Sequence, residues 1–294
     1  MNTFRDAISQ RDFVVTAECF LKPETDAESI RIQADLLRDH VDAVLLTDNQ
    51  FGALHISTLA AARLMLDNGV DPIMQLSCRN RNRISLLADI LGAAALGVSS
   101  LMLLRGNRIP KNVESRPKPV LDVNATELIA IAAGLKTDER LKNFPDLYIG
   151  GTTAPHEPQA DWKPQKLLAR TNAGAHFMIT YTSMDLELLR RFMKRLVATQ
   201  LTRKAAFVVS IALFESAAEA IWMRDNRPNV LIPDALIERL DKAASPRQEG
   251  LAICAEQLAA LARIPGVSGA NIMATTDLSL IPEAISAANL GDFR

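Results

Sequence analysis

Val98-Ser99-Ser100-Leu101-Met102-Leu103-Leu104-Arg105-Gly106-Asn107 is an apolar run that stops abruptly at a cation, a glycine and a short amide, with Pro110 close behind. Short apolar runs bounded by turn residues read as strands covered on both faces. This one predicts a buried strand that delivers Arg105, Gly106 and Asn107 to one point at its C-terminal end. In a closed parallel barrel, that end is where chemistry is assembled.

The same pattern repeats along the chain. Phe13 to Glu18 is a β-rich run reaching toward Phe20, and an amphipathic stretch from Asp26 to Arg38 follows. Asp42 to Thr47 reads as the second strand and Ser57 to Asn68 as its helix. Pro72 to Leu76 is the third strand, with Arg83 to Leu96 as the next helix. After the opening stretch come a helix from Asn124 to Leu141, a strand from Asp146 to Gly150, a helix from Pro164 to Asn172 and a strand from His176 to Thr180. The spacing of Leu186, Leu189, Phe192, Met193 and Leu196 predicts a helix over Asp185 to Ala198. Ala206 to Leu213 is the seventh strand and Val267 to Met273 the eighth, with a closing helix over Pro282 to Leu290. Between those two strands lie helices over Ser216 to Asp225, Pro233 to Ala243 and Gly250 to Arg263. Strands alternating with helices imply parallel pairing through right-handed crossovers. No GxGxxG follows the first strand, where an open dinucleotide-binding sheet would place one. The reading is therefore α/β: a single (β/α)8 TIM barrel over residues 1–294, with extra helices between strands seven and eight.

Composition bounds the function. The chain has 294 residues, 48% of them hydrophobic, and a net charge of -1. No basic field argues for nucleic acid, and no apolar run approaches the roughly 18–20 residues needed to cross a bilayer. The polar N-terminus lacks a signal-peptide core. Three scattered cysteines and four scattered histidines give neither a disulfide framework nor a metal-ligand spacing. A cytoplasmic protein is expected.

The strand ends collect polar residues: Glu18; Thr47-Asp48-Asn49-Gln50; Gln75 with Ser77, Cys78 and Arg79; Arg105-Gly106-Asn107; Thr152-Thr153-Ala154-Pro155-His156-Glu157; and Thr180-Tyr181. Each has a plain alternative. Thr47 to Asn49 could cap the following helix. Arg79, Arg81 and Arg83 could be a solvated basic face, although cations are disfavoured at a helix start unless an anion is near. His156 could be a loop histidine, and Cys78, with no base in view, a packed small residue. Glu18 stands out as the lone carboxylate of an apolar strand. Burial raises a carboxyl pKa and so suits a general acid; the alternative is a structural ion pair with Arg105.

These motifs resemble the methylenetetrahydrofolate reductase family. Thr16-Ala17-Glu18, Leu46 to Gln50, Gln75 to Arg83 and Arg105-Gly106-Asn107 carry the likeness. So do Gly150 to Pro158, Ala173-Gly174-Ala175 and Asn229 to Pro233, in order from about Val14 to Ala274. The resemblance is to the short bacterial form, which is the catalytic barrel alone. It implies FAD at the strand ends and ping-pong transfer of hydride from NAD(P)H to 5,10-methylenetetrahydrofolate, giving 5-methyltetrahydrofolate. It implies that Glu18 is the acid that opens the folate ring. Thr47, Asn49, Gln75, Arg105, Gly106, Asn107, Thr152, Ala154, His156 and Arg170 then fall where the family contacts the flavin, and Glu18, Asn107 and Tyr181 where it contacts the folate. A homo-oligomer or a complex with a partner subunit is compatible with it.

Two positions depart from the family pattern. Asn107 stands where an aspartate is usual, which removes an anion beside the flavin and is expected to raise its potential. Tyr181 stands where a glutamine commonly grips the pterin and offers one hydroxyl in place of a paired donor and acceptor. Beside the reductase reading stand two others: a barrel that binds a folate or partner protein without flavin turnover, and one acting on a different one-carbon pterin.

Overall fold

The computed structural model describes residues 2–293, apart from 20, 112, 114, 115, 160, 275 and 292; the reading of the first strand as far as Phe20 therefore ends outside the described residues. The strands are β1 (Val14–Cys19), β2 (Ala43–Leu46), β3 (Pro72–Ser77), β4 (Ser100–Leu104), β5 (Tyr148–Thr153), β6 (Phe177–Thr180), β7 (Ala206–Leu213) and β8 (Gly269–Ala274). Every neighbouring pair is parallel, and β1 pairs with β8 to close the barrel. The fold is a (β/α)8 barrel, as the alternation predicts.

The helices are α1 (Phe4–Gln10), α2 (Ala27–Leu37), α3 (Thr58–Asp67), α4 (Arg83–Ala95), α5 (Ala125–Gly134), α6 (Gln165–Asn172), α7 (Leu186–Ala198), α8 (Ala217–Asn226), α9 (Asp234–Lys242), α10 (Pro246–Leu261) and α11 (Leu280–Ala287). Apolar residues on their inner faces and the outward residues of the strands form one layer of core, in which Phe192, Leu196 and Leu258 are buried. None of the described helices is long and apolar enough to cross a membrane.

Three of the differences from the sequence reading have a plain local cause, while β5 simply runs on to Thr153 and α11 starts at Leu280. The polar N-terminus forms α1, capped by a reciprocal Thr3–Asp6 box. Proline at the first helical position starts α10 at Pro246, four residues before the expected Gly250, because its fixed φ is preorganised for a helix. The helix expected to reach Leu141 ends at Gly134 and passes into a short 3-10 turn.

Inside the barrel a second cluster joins Val14, Leu45, Ile73, Met102, Phe177 and Val208. Helix α1 plugs the N-terminal end of this cluster. Its Phe4 is fully buried, edge-on to Phe177 at 5.1 Å and to Tyr148 at 5.8 Å. The Phe4 backbone N–H donates to Asp71 at 2.7 Å, and burial raises the Asp71 pKa to about 6. Gly150 makes the plug possible, since a Cβ there would lie 2.3 Å from the Phe177 ring. One end of the barrel is thus filled with side chains, and the opposite end is left for a ligand. Phe4→Ala should cost about 3–5 kcal/mol of unfolding free energy, readable as a lowered midpoint in urea titration.

Candidate active site

The C-terminal strand ends frame a cleft of about 720 Å³. Its floor is Glu18, which is only 4% exposed. Asn271 Nδ2 donates to one carboxyl oxygen and Gln50 Nε2 to the other, each at 3.3 Å. Burial raises the Glu18 pKa, opposed first by the positive field of Arg227 and then by the Asn271 and Gln50 hydrogen bonds. Asn271 is itself held by Thr16, whose hydroxyl donates to Oδ1 at 2.9 Å, and it also donates to Ser210 at 3.3 Å. Three neighbouring strands, β1, β7 and β8, therefore supply a polar layer inside an otherwise apolar barrel. Arg105 is not a partner of Glu18 in this network; its side chain is exposed.

The rim is built by arginines. Arg79 is 3% exposed, so it is no solvated face. Its guanidinium donates to the Asn107 carbonyl at 2.9 Å and to the Asn49 carbonyl at 2.5 Å. Arg81 forms a bidentate pair with Asp48 at 2.7 and 3.1 Å, and Asp48 also accepts from the Ser77 backbone at 2.8 Å. Asp48 therefore anchors the rim and does not cap α3, whose cap is Ser57. Asn49 is spent on the turn: its amide donates to the Ala53 carbonyl at 2.8 Å. The three cysteines are buried and free, and burial holds their thiols at about 11 for Cys78 and about 12 for Cys19 and Cys254, which removes them as nucleophiles.

The expected site residues divide by location. Gln75, Gly106, Asn107, Thr152 and Tyr181 line the cleft with Glu18. Ala154, His156 and Arg170 line a lateral cavity of about 990 Å³, which meets the cleft at Thr152 and Tyr181. His156 packs there edge-on to Trp162 at 4.8 Å, and Arg170 donates to the Thr152 carbonyl. Among the described residues, the lateral lining carries Lys163, Lys166 and Arg170 and no carboxylate. Thr47 lies instead on an apolar cavity that adjoins the cleft at Gln50, Phe51 and Arg227, beside Pro23 and Trp222. Arg105 lines a fourth recess with Arg108 and Arg116.

Sequence reading passed over Arg227 and Asn271. Asn271 could have been found as the only uncharged amide within an apolar eighth strand. Arg227 lies in an irregular segment after α8, and nothing local marks it as turned inward.

A parallel barrel with a buried acid under an open cleft, flanked by a cationic side cavity, has the architecture of the enzyme barrels whose sites are built at the C-terminal strand ends. The chain belongs to the methylenetetrahydrofolate reductase family, whose model it matches over residues 3–287. No curated protein sequence matches it. Among solved structures, a protein from Clostridium thermocellum described as binding two copies of 5-methyl-5,6,7,8-tetrahydrofolic acid shares the fold, with a TM-score of 0.68 at 12% identity over 97% of this chain and 96% of that one. The EDTA monooxygenase of Chelativorans sp. BNC1 is also similar, with a TM-score of 0.62 at 13% identity over 97% and 95% of the two chains.

Gly106 has φ +88°, and a Cβ on it would meet Arg79 Cβ at 2.7 Å. Gly106→Ala should cost about 1–3 kcal/mol of stability, checked by thermal unfolding.

Proposed function

We propose that this protein is an FAD-dependent reductase that takes hydride from NAD(P)H and delivers it to 5,10-methylenetetrahydrofolate. The observation that carries the reading is Glu18, a buried carboxyl with a raised pKa facing the cleft of a family member. The cleft and the lateral cavity together fit an elongated dinucleotide. The flat ring system suits the cleft beside Gln75, Gly106 and Thr152. The diphosphate suits the lateral cavity, where Lys163, Lys166 and Arg170 supply cations without a competing carboxylate in the described lining. When bound, FAD supplies the hydride relay between the two substrates.

The chain's own residues do the rest. Glu18, its pKa raised by burial, gives its proton to the folate nitrogen that leaves the carbon bridge. Asn271 and Gln50 fix its two oxygens, so the proton is presented in one direction. The buried floor excludes water from beneath the acid. Arg79 and Gly106 hold Asn107 at the mouth, and Tyr181 offers a phenol across from it.

Glu18→Gln should abolish methylenetetrahydrofolate reduction while leaving anaerobic bleaching of the flavin band at about 450 nm by NADH; equal loss of both half-reactions would contradict the assigned role. A second outcome follows from the sign of the shift. A general acid works in its protonated form, and the folded-state pKa of Glu18 lies above the ordinary carboxyl value. The folate half-reaction should therefore slow as pH rises through that raised pKa, and stopped-flow traces of the NADH half-reaction should lack that limb.

A further inference from the structure

The two walls of the cleft are chemically unequal. Toward β4 and β6 stand the amide of Asn107 and the phenol of Tyr181. Toward β1, β2 and the segment after α8 stand Glu18, Gln50 and Arg227. Arg227 lines both the cleft and the apolar cavity beside it, so it sits where the two meet. Its guanidinium lies 5.5 Å from the Phe51 ring and 5.9 Å from the Trp222 ring, with Nη1 3.3 Å from Met273 Sδ. Aromatic and sulfur contacts of this kind hold a planar donor fork in place away from bulk water.

Gln50 is the second unusual feature. Its Nε2 donates to Glu18, and its Oε1 is buried with no hydrogen-bond partner. A buried acceptor left unsatisfied is costly, and native structures retain few of them. The turn that carries Gln50 is strained as well: Asn49 has φ 46° and Phe51 φ 54°. Left-handed backbone at a bulky aromatic is rare and concentrates at ligand sites. The strained turn brings Gln50 to the acid and sets Phe51 against Arg227.

We propose that Arg227 and Gln50 form the substrate-recognition pair of this cleft, Arg227 donating to and Gln50 accepting from the polar edge of a pterin ring beside Glu18. The inference rests on the folate reading above and gives Gln50 and Arg227, which there act only on Glu18, a direct contact with the ligand. The amide edge of a pterin carries a carbonyl acceptor next to a ring N–H donor, which is the complement of a guanidinium beside a free amide oxygen. Recognition of the ring is thereby assigned to the β2 turn and to the segment after α8.

Isothermal titration calorimetry on the full chain tests this with two probes: 5-methyltetrahydrofolate, and p-aminobenzoylglutamate, which lacks the pterin. Arg227→Met should weaken the folate by about 10–100-fold, the size of one charge-assisted hydrogen bond. Gln50→Leu should weaken it less, and Arg227→Lys should lie between wild type and Arg227→Met. p-Aminobenzoylglutamate affinity should stay constant throughout, with melting temperatures reporting that each variant is folded. Folate affinity of a folded Arg227→Met within about twofold of wild type would overturn the inference, as would an equal loss for both probes. Failure of the wild-type chain to bind the folate at all would overturn the substrate class itself, a result distinct from either.

Discussion

The guanidinium of Arg79 is the constraint on which the ligand-facing end of the barrel depends. It leaves the end of β3 and reaches two backbone carbonyls, that of Asn49 after β2 and that of Asn107 after β4. Three successive strand ends are thus tied by one buried cation. Burial lowers its pKa while Asp48 supports the charge, so the group is held in place by fixed dipoles and one nearby carboxylate. Carbonyls suit this duty because they accept without titrating. The same packing explains Gly106: Arg79 Cβ occupies the space where a side chain would begin. A strand that ends in Arg-Gly-Asn is therefore half of a joint whose other half lies in the Cys-Arg-Asn-Arg run of β3.

The acid depends on a different solution. Inside the barrel most inward residues are apolar, and α1 seals the far end with Phe4. A lone carboxylate in that setting would be driven toward the neutral form. Thr16, Asn271 and Ser210 form a layer just beneath Glu18 that gives it a donor without adding a charge. Arg227 adds a positive field from the open side. The outcome is a balance in which burial is the largest influence and the raised pKa survives its opponents. Since the folded-state pKa lies above the unfolded value, Glu18 favours folding most at low pH. That contribution is lost as pH rises through the raised pKa.

The barrel was legible because its signal is repeated. Each strand is a short apolar run covered on both faces, and each is followed by a helix whose inner face has the same character. Errors fell at element ends, where one cap decides the boundary: Pro246 starts a helix that composition alone reads as broken, and the Thr3–Asp6 box starts one in a stretch that looks merely polar. The centre of the site was legible too, since Glu18, Gln75 and the Gly106-Asn107 turn sit at strand ends, whose position the fold fixes. Arg227 was not. Its inward direction depends on the course of an irregular segment and on contacts with Phe51 and Met273, which are far away in sequence. Sequence leaves the role of Asp48 open between a cap and a site residue for the same reason, because its partner Arg81 comes from the next strand's loop.

Asn107 and Tyr181, where the resemblance leads one to expect an aspartate and a glutamine, fall where the fold tolerates a change of side chain. At Asn107 the contact that matters to the rim is made by the backbone carbonyl, which Arg79 holds whatever side chain is attached. At Tyr181 the backbone N–H donates to the Thr153 carbonyl at 2.8 Å, continuing the β5–β6 register. Both positions are fixed by main chain, so a change of side chain there alters the cleft lining without loosening the barrel. Glu18 is the opposite case: its carboxyl is bonded to residues from β2's turn and from β8, and the interior layer beneath it is complete only with that carboxyl present. The chain thus sets the Glu18 carboxyl inside a network that resists substitution, while the side chains of Asn107 and Tyr181 line the cleft and carry none of the barrel's main-chain register.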